Sequence, residues 1–333
     1  ALEFTFSSQQ RIIFIRVTQF VFRHIFYYNT FFVGNFLMNR VASVIKLDHA
    51  RKQGLTGKGI GIAIMDTGVG MHPDIIYKNG PLMSFYDTLA HHNNFYDDNG
   101  HGTHVAGIIC GNGTASNKLY EGIAPDCKIH IIKILNKNGE GNIKNVISGI
   151  EWLLKNKDKY NIRIVNISVG SVSLKKFDES SLLVRSINSL WEAGLVVVTA
   201  AGNNGPSDYT IGAPGNSRKI ITVGTSDSVK GKFTHDFSGR GPTMNCIKKP
   251  DIVAPGLNII SCNNIINRSF YIPRSGTSMS TPIVSGCIAL LLQKYPYFTN
   301  KDVKLQLKRT AIDLHMPHEK QGWGLIRCDT FLS

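Results

Sequence analysis

The 333-residue sequence predicts an α/β fold of three layers, with a central, mostly parallel sheet and helices on both faces. Three observations carry this. From Gly57 onward, short runs of Ile and Val alternate with stretches of helical periodicity. Those runs are apolar throughout rather than at every second residue, as strands covered on both faces are. Hydrophobic residues make up 42% of the chain, enough for a sizeable buried core.

The elements follow in order. Residues 1–40 are rich in Phe, Ile and Arg, hold a single acid, Glu3, and read as an extension separate from a main domain over 41–333. Arg16, Gln19, Arg23 and His24 interrupt their most apolar part, so no membrane span is expected. A first strand is predicted from Gly59 to Met65, ending at Asp66-Thr67-Gly68, and a helical pattern opens at His101. A strand from Lys128 to Leu135 comes next. Asn142 then stands as N-cap to a helix whose apolar stripe is Ile143, Val146, Ile147, Ile150, Leu153 and Leu154. A strand from Arg163 to Ser168 leads to a helix from Ser180 to Ala193, stopped by Gly194. Strands Leu195–Thr199 and Lys219–Val223 follow, and a last apolar helical pattern begins directly after Ser278.

This order gathers reactive side chains on one rim. Ligands of open α/β sheets bind beyond the carboxyl ends of the strands. Asp66, Ser168 and Asn203 fall at or just past such ends, while His101 and Ser278 open helical patterns and can face the same rim. A serine is a poor nucleophile unless a base activates it and a third group orients the base. Asp66, His101 and Ser278 supply that set in the chain order Asp, His, Ser.

Four blocks make the pattern specific: Asp-Thr-Gly-Val from Asp66, His-Gly-Thr-His-Val-Ala-Gly from His101, Ala-Ala-Gly-Asn ending at Asn203, and Gly-Thr-Ser-Met-Ser-Thr-Pro around Ser278. In these blocks and their order, from near Lys46 to Leu314, the chain resembles the subtilases, the subtilisin-like serine peptidases. The resemblance implies the subtilisin-like form of the three-layer fold and hydrolysis of peptide bonds through an acyl-enzyme, with Ser278 as nucleophile, His101 as general base and Asp66 orienting it. Asn203 matches the position whose amide stabilises the oxyanion. Gly139, Gly141, Ser168, Val169, Gly170 and Gly202 match segments that flank an extended substrate. Gly212 matches the base of the specificity pocket, where a glycine leaves room for a large apolar P1 side chain. Family precedent offers two readings of residues 1–40, a remnant or reduced propeptide or an apolar arm packed on the catalytic domain; the first adds the chain's own propeptide as a partner beside protein or peptide substrates. A catalytically silent subtilase-fold binding protein is the alternative.

No cofactor is expected for the chemistry. Structural calcium is left open: Asp74, in His-Pro-Asp, resembles a family ligand, but residues 111–121 do not reproduce the ligand loop of the secreted enzymes. Asp97 and Asp98 read as acids that solvate the approach to His101. His101 and His104 lack the glutamate of a zinc hydrolase motif, and Gly57, Gly59 and Gly61 precede a strand where a dinucleotide loop would follow one. Lys and Arg exceed Asp and Glu by 37 to 23, but the excess is scattered without an aromatic-interleaved stripe, so no nucleic-acid site is expected. Six cysteines without a Cys-X-X-Cys pair argue against structural zinc. Cys110 and Cys287, among apolar neighbours, favour a reducing, cytoplasmic location over a secreted one.

Overall fold

The computed structural model describes residues 40–169, 181–230, 236–265 and 267–333. Gly170 and nearly all of the N-terminal extension lie outside them. A helical turn over residues 40–44 and then helix α1 (Leu47–Lys52) lead into β1 (Gly61–Asp66), whose six residues are all buried. There follow β2 (Leu82–Asp87), α2 (His101–Cys110), β3 (Lys128–Lys133), α3 (Ile143–Asn156), β4 (Ile162–Ile167), α4 (Leu182–Glu192), β5 (Val196–Ala200), β6 (Ile221–Thr225), α5 (Asp227–Lys230) and β7 (Ile252–Ala254). The chain closes with the hairpin β8 (Ile259–Cys262) and β9 (Tyr271–Arg274), then α6 (Thr277–Lys294), α7 (Asn300–Thr310), α8 (His318–Gln321) and α9 (Cys328–Phe331).

Seven strands form one parallel sheet in the order β2-β3-β1-β4-β5-β6-β7. Neighbouring residues of a strand point to opposite faces, and β4 shows what each face meets. Asn166 accepts a hydrogen bond from Ser285 of α6, whereas Ile167 lines a cavity with Ile187 of α4. Helices therefore cover both sides, and the fold is the three-layer α/β arrangement expected.

The predicted strands are present with ends shifted by at most two residues. Asn142 caps α3 by accepting from the Asn145 N–H, and Ser181 caps α4 by accepting from the Val184 N–H. Gly194, at φ 88°, follows α4 in the left-handed region that favours glycine. Three strand features were not predicted. β2 is a sheet-edge strand, mostly half-buried, so its residues Leu82 to Asp87 mix polar with apolar. β7 has only three residues, and the β8–β9 hairpin stands apart from the main sheet. Among the described residues all six cysteines are free thiols, and no helix is long and apolar enough to cross a membrane.

Candidate active site

β1 delivers Asp66, fully buried, to its carboxyl end. Asp66 Oδ1 accepts from the Thr67 N–H at 2.8 Å and from His101 Nδ1 at 2.8 Å. A carboxylate only accepts, so Nδ1 carries the proton of that bond and Nε2 keeps its lone pair. Burial alone would lower the His101 pKa. The charge of Asp66 and its hydrogen bond outweigh burial and raise it above the ordinary 6.5.

His101 is the first residue of α2, and the carboxylate of Asp97 fixes that helix start. Its Oδ1 accepts from the Thr67 hydroxyl and from the N–H groups of Asn99 and Gly100, and its Oδ2 accepts from the N–H and hydroxyl of Thr103. Asp97 is thus a buried capping group that ties β1 to α2, and the expectation that it solvates the approach to His101 is corrected. Asp98 is likewise engaged, accepting from Lys133 Nζ at 2.7 Å. Lys133 is fully buried beside Asp66 in the β1–β3 pairing, where its ammonium also donates to the Thr67 and Leu135 carbonyls and lies over the Tyr96 ring. Close backbone packing completes the junction: a Cβ on Gly102 would stand 2.2 Å from the Gly68 carbonyl oxygen.

Burial would raise the Asp97 pKa, but its donors, led by Thr103 and Gly100, hold it below the ordinary 3.8. A depressed carboxylate pKa adds stability that is whole above the unfolded value and is lost as pH falls through the folded one. Asp97→Ala is therefore expected to lower unfolding free energy by about 3 kcal/mol at neutral pH, with the gap to wild type closing in acid. Urea titrations at both pH values check this; an equal gap in acid would show that the charge is not its source.

Ser278 sits in the first turn of α6. Gly276, at φ 150°, turns the chain into the helix, and its N–H donates to the Gly256 carbonyl at 2.8 Å. The Ser278 N–H is one of the donors a helix start leaves unpaired, and among the described residues it has no acceptor. Asn203 is held from the same turn, its Oδ1 accepting from the N–H and hydroxyl of Thr277 at 3.0 and 3.1 Å. That pins the amide by its oxygen and leaves the NH2 group to donate elsewhere. Its nitrogen would be 3.2 Å from a Cβ on Gly276.

Thr67, His101, Ser168, Val169, Gly202, Asn203, Thr277 and Ser278 line one cleft of about 320 Å³ together with Gly139. No hydrogen bond joins His101 to Ser278, and catalytic hydrogen bonds of this kind commonly tighten only once substrate is in place. A larger apolar cavity of about 550 Å³ adjoins the cleft through Leu135, Gly139 and Val169. Gly141 lines that second cavity, beside Ile134, Ile143 and Leu183, and a Cβ there would meet the Ile134 carbonyl oxygen at 2.4 Å. Gly212 lines neither; its N–H donates to the Ala201 carbonyl and it lies against Gly202.

The residues around Asp74 do not fit calcium. Both carboxylate oxygens are used, Oδ1 by the Ala115 N–H at 2.9 Å and Oδ2 by the Tyr271 hydroxyl at 2.6 Å. The His, Cys, Asp or Glu side chains that gather with it are His72 and Cys262, which offer nitrogen and sulfur, where calcium takes six to eight oxygens. Both nitrogens of His72 are engaged as well, Nδ1 by the Asp74 N–H and Nε2 with the Phe270 carbonyl.

Asp97 and Lys133 matter to this geometry and were not singled out by motif. Lys133 carried a signal, because a cation inside an otherwise apolar strand has to find acceptors. The subtilase family model matches residues 57–324. The chain belongs to the subtilase family. It is 42% identical over 276 residues to the serine protease AprX of Bacillus subtilis (strain 168), covering 77% of this chain and 62% of that protein. It is 35% identical to subtilisin BL of Lederbergia lenta, over 86% of this chain and 96% of the relative. Among solved structures, sphericase superimposes with a TM-score of 0.69 at 28% identity, over 82% of this chain and 92% of the other. This subtilase thus spans less than two thirds of AprX but nearly all of the shorter subtilisin.

Proposed function

We propose that this subtilase is a serine endopeptidase in which Ser278 is the nucleophile, His101 the general base and Asp66 the group that orients it. The observation that carries the reading is the 2.8 Å bond from His101 Nδ1 to a fully buried carboxylate, at a cleft that Ser278 and Asn203 also line. With Nδ1–H held by Asp66, Nε2 takes the proton of Ser278 Oγ as that oxygen attacks a peptide carbonyl, then returns it to the leaving amine. The carbonyl oxygen gathers charge between the Ser278 N–H and the Asn203 amide, both free to donate.

The substrate runs as an extended strand past Gly139 and Gly141 on one side and Ser168, Val169 and Gly202 on the other. No acid lines the described part of the cleft, which supports preference for a large apolar P1 side chain over Arg or Lys. The adjoining apolar cavity favours a second apolar side chain farther from the scissile bond. Proteins and peptides are therefore the substrates.

A fluorophosphonate probe is expected to form an adduct that peptide mapping locates on Ser278, alongside cleavage of unstructured protein substrates. Folded protein that cleaves nothing and takes no label at Ser278 would instead be a binding protein on the subtilase scaffold.

A further inference from the structure

Arg274 is the last residue of β9, just ahead of the turn that carries Ser278. One terminal nitrogen of its guanidinium lies against Gly100, the residue before His101; a Cβ on Gly100 would come within 3.2 Å of it. The side chain is half-buried, and its Nε is shut off from solvent with no hydrogen-bond partner among the described residues. Nor does Arg274 form an ion pair among them, although Asp66, Asp97 and Asp98 belong to the same junction around His101. Those acids are already occupied: Asp97 by its capping bonds, Asp98 by Lys133, and Asp66 by His101 and Thr67. The unbalanced charge is felt nearby, since His104 is held down to about 3 by burial first and by Arg274 next.

Which half of a substrate this cation meets follows from the proton path. His101 gives its proton to the leaving amine, so the departing segment must pass along the imidazole. The acyl half occupies the cleft of Ser168, Gly202 and Asn203. Arg274 does not line that cleft; it lies outside it, against Gly100 on the flank of His101. We propose that Arg274 is a specificity-determining residue, drawing an aspartate or glutamate within two residues after the scissile bond onto its guanidinium. The two terminal nitrogens of a planar guanidinium suit a carboxylate, which they can bind through two parallel hydrogen bonds. The inference rests on Ser278 and His101 acting as proposed above.

The test uses quenched fluorescent peptides identical up to the scissile bond, with Glu, Ala or Lys at the first or second position beyond it. Wild type is expected to cleave the best Glu peptide with kcat/KM roughly fivefold above its Lys counterpart, a ratio that shrinks as salt is added. In Arg274→Gln the ratio falls towards one, and in Arg274→Glu it inverts. Ratios are read within each protein, so a general loss of rate cancels, and the wild-type ratio with its salt dependence decides even if a variant fails to fold. Fluorophosphonate labelling separates the two readings, because the probe has no residues on the leaving side. Normal wild-type labelling with an unchanged ratio in Arg274→Gln, or with no wild-type preference at all, overturns this inference alone. Absence of both labelling and peptide cleavage in wild type overturns the peptidase reading and this inference with it.

Discussion

Alanine at Ser278 is expected to lower kcat by about a millionfold while leaving thermal stability nearly unchanged; that magnitude is the one measured in subtilisin, a member of the same family. Its oxygen makes no hydrogen bond among the described residues, so removing it breaks no polar contact there. What is lost is the covalent route. The amide of Asn203 and the N–H of residue 278 remain, and they keep a residual rate above that of water. The stronger form of the prediction concerns coupling. In the proposed mechanism nucleophile and base act in one step, so His101→Ala added to Ser278→Ala should cost almost nothing more. Single-turnover assays on the two single variants and the double variant check this, and losses that multiply would show that the side chains act independently.

The second large effect belongs to Asp66. Asp66→Asn preserves size and keeps an oxygen for the Thr67 N–H, yet it removes the charge that the imidazolium needs. A fall in kcat/KM of about ten-thousandfold is expected, from loss of the orienting and charge-stabilising carboxylate. The pH profile supplies an independent sign. In the proposed mechanism activity requires neutral His101, and in wild type the net effect of burial opposed by Asp66 is a raised pKa, so the acid limb should lie above pH 6.5. Without the carboxylate, burial acts nearly alone and the limb should move to lower pH. A limb that stays in place would mean that another group controls it.

How much of this was legible beforehand depended on the kind of signal each residue leaves. Asp66, His101, Asn203 and Ser278 lie in short blocks of unusual composition at strand ends and helix starts, and the structure brings all four to one region. The buried strands were readable because nothing polar interrupts Ile62 to Met65 or Val196 to Val198. β2 was not, since an edge strand with half-exposed residues lacks both alternation and an apolar run. Asp97 reads differently for a related reason: an acid beside another acid, with Asn93, Asn94 and Asn99 near in sequence, reads as solvated until the chain folds five donors around it. Arg274 left no trace in sequence because its importance lies in what is absent around it, a free acid.

The helix that carries Ser278 is buried along nearly its whole length, from Met279 to Leu292, and it packs across β4, β5, β6 and β7 as well as α2. One segment therefore both seals a face of the sheet and holds the reactive hydroxyl. A chain cut short before this segment would have its carboxylate and imidazole but would lack the oxygen, and an apolar surface would be left open to water. The proposed nucleophile and a finished fold arrive together, so on this reading an incomplete copy is inert towards its neighbours while it is still being made.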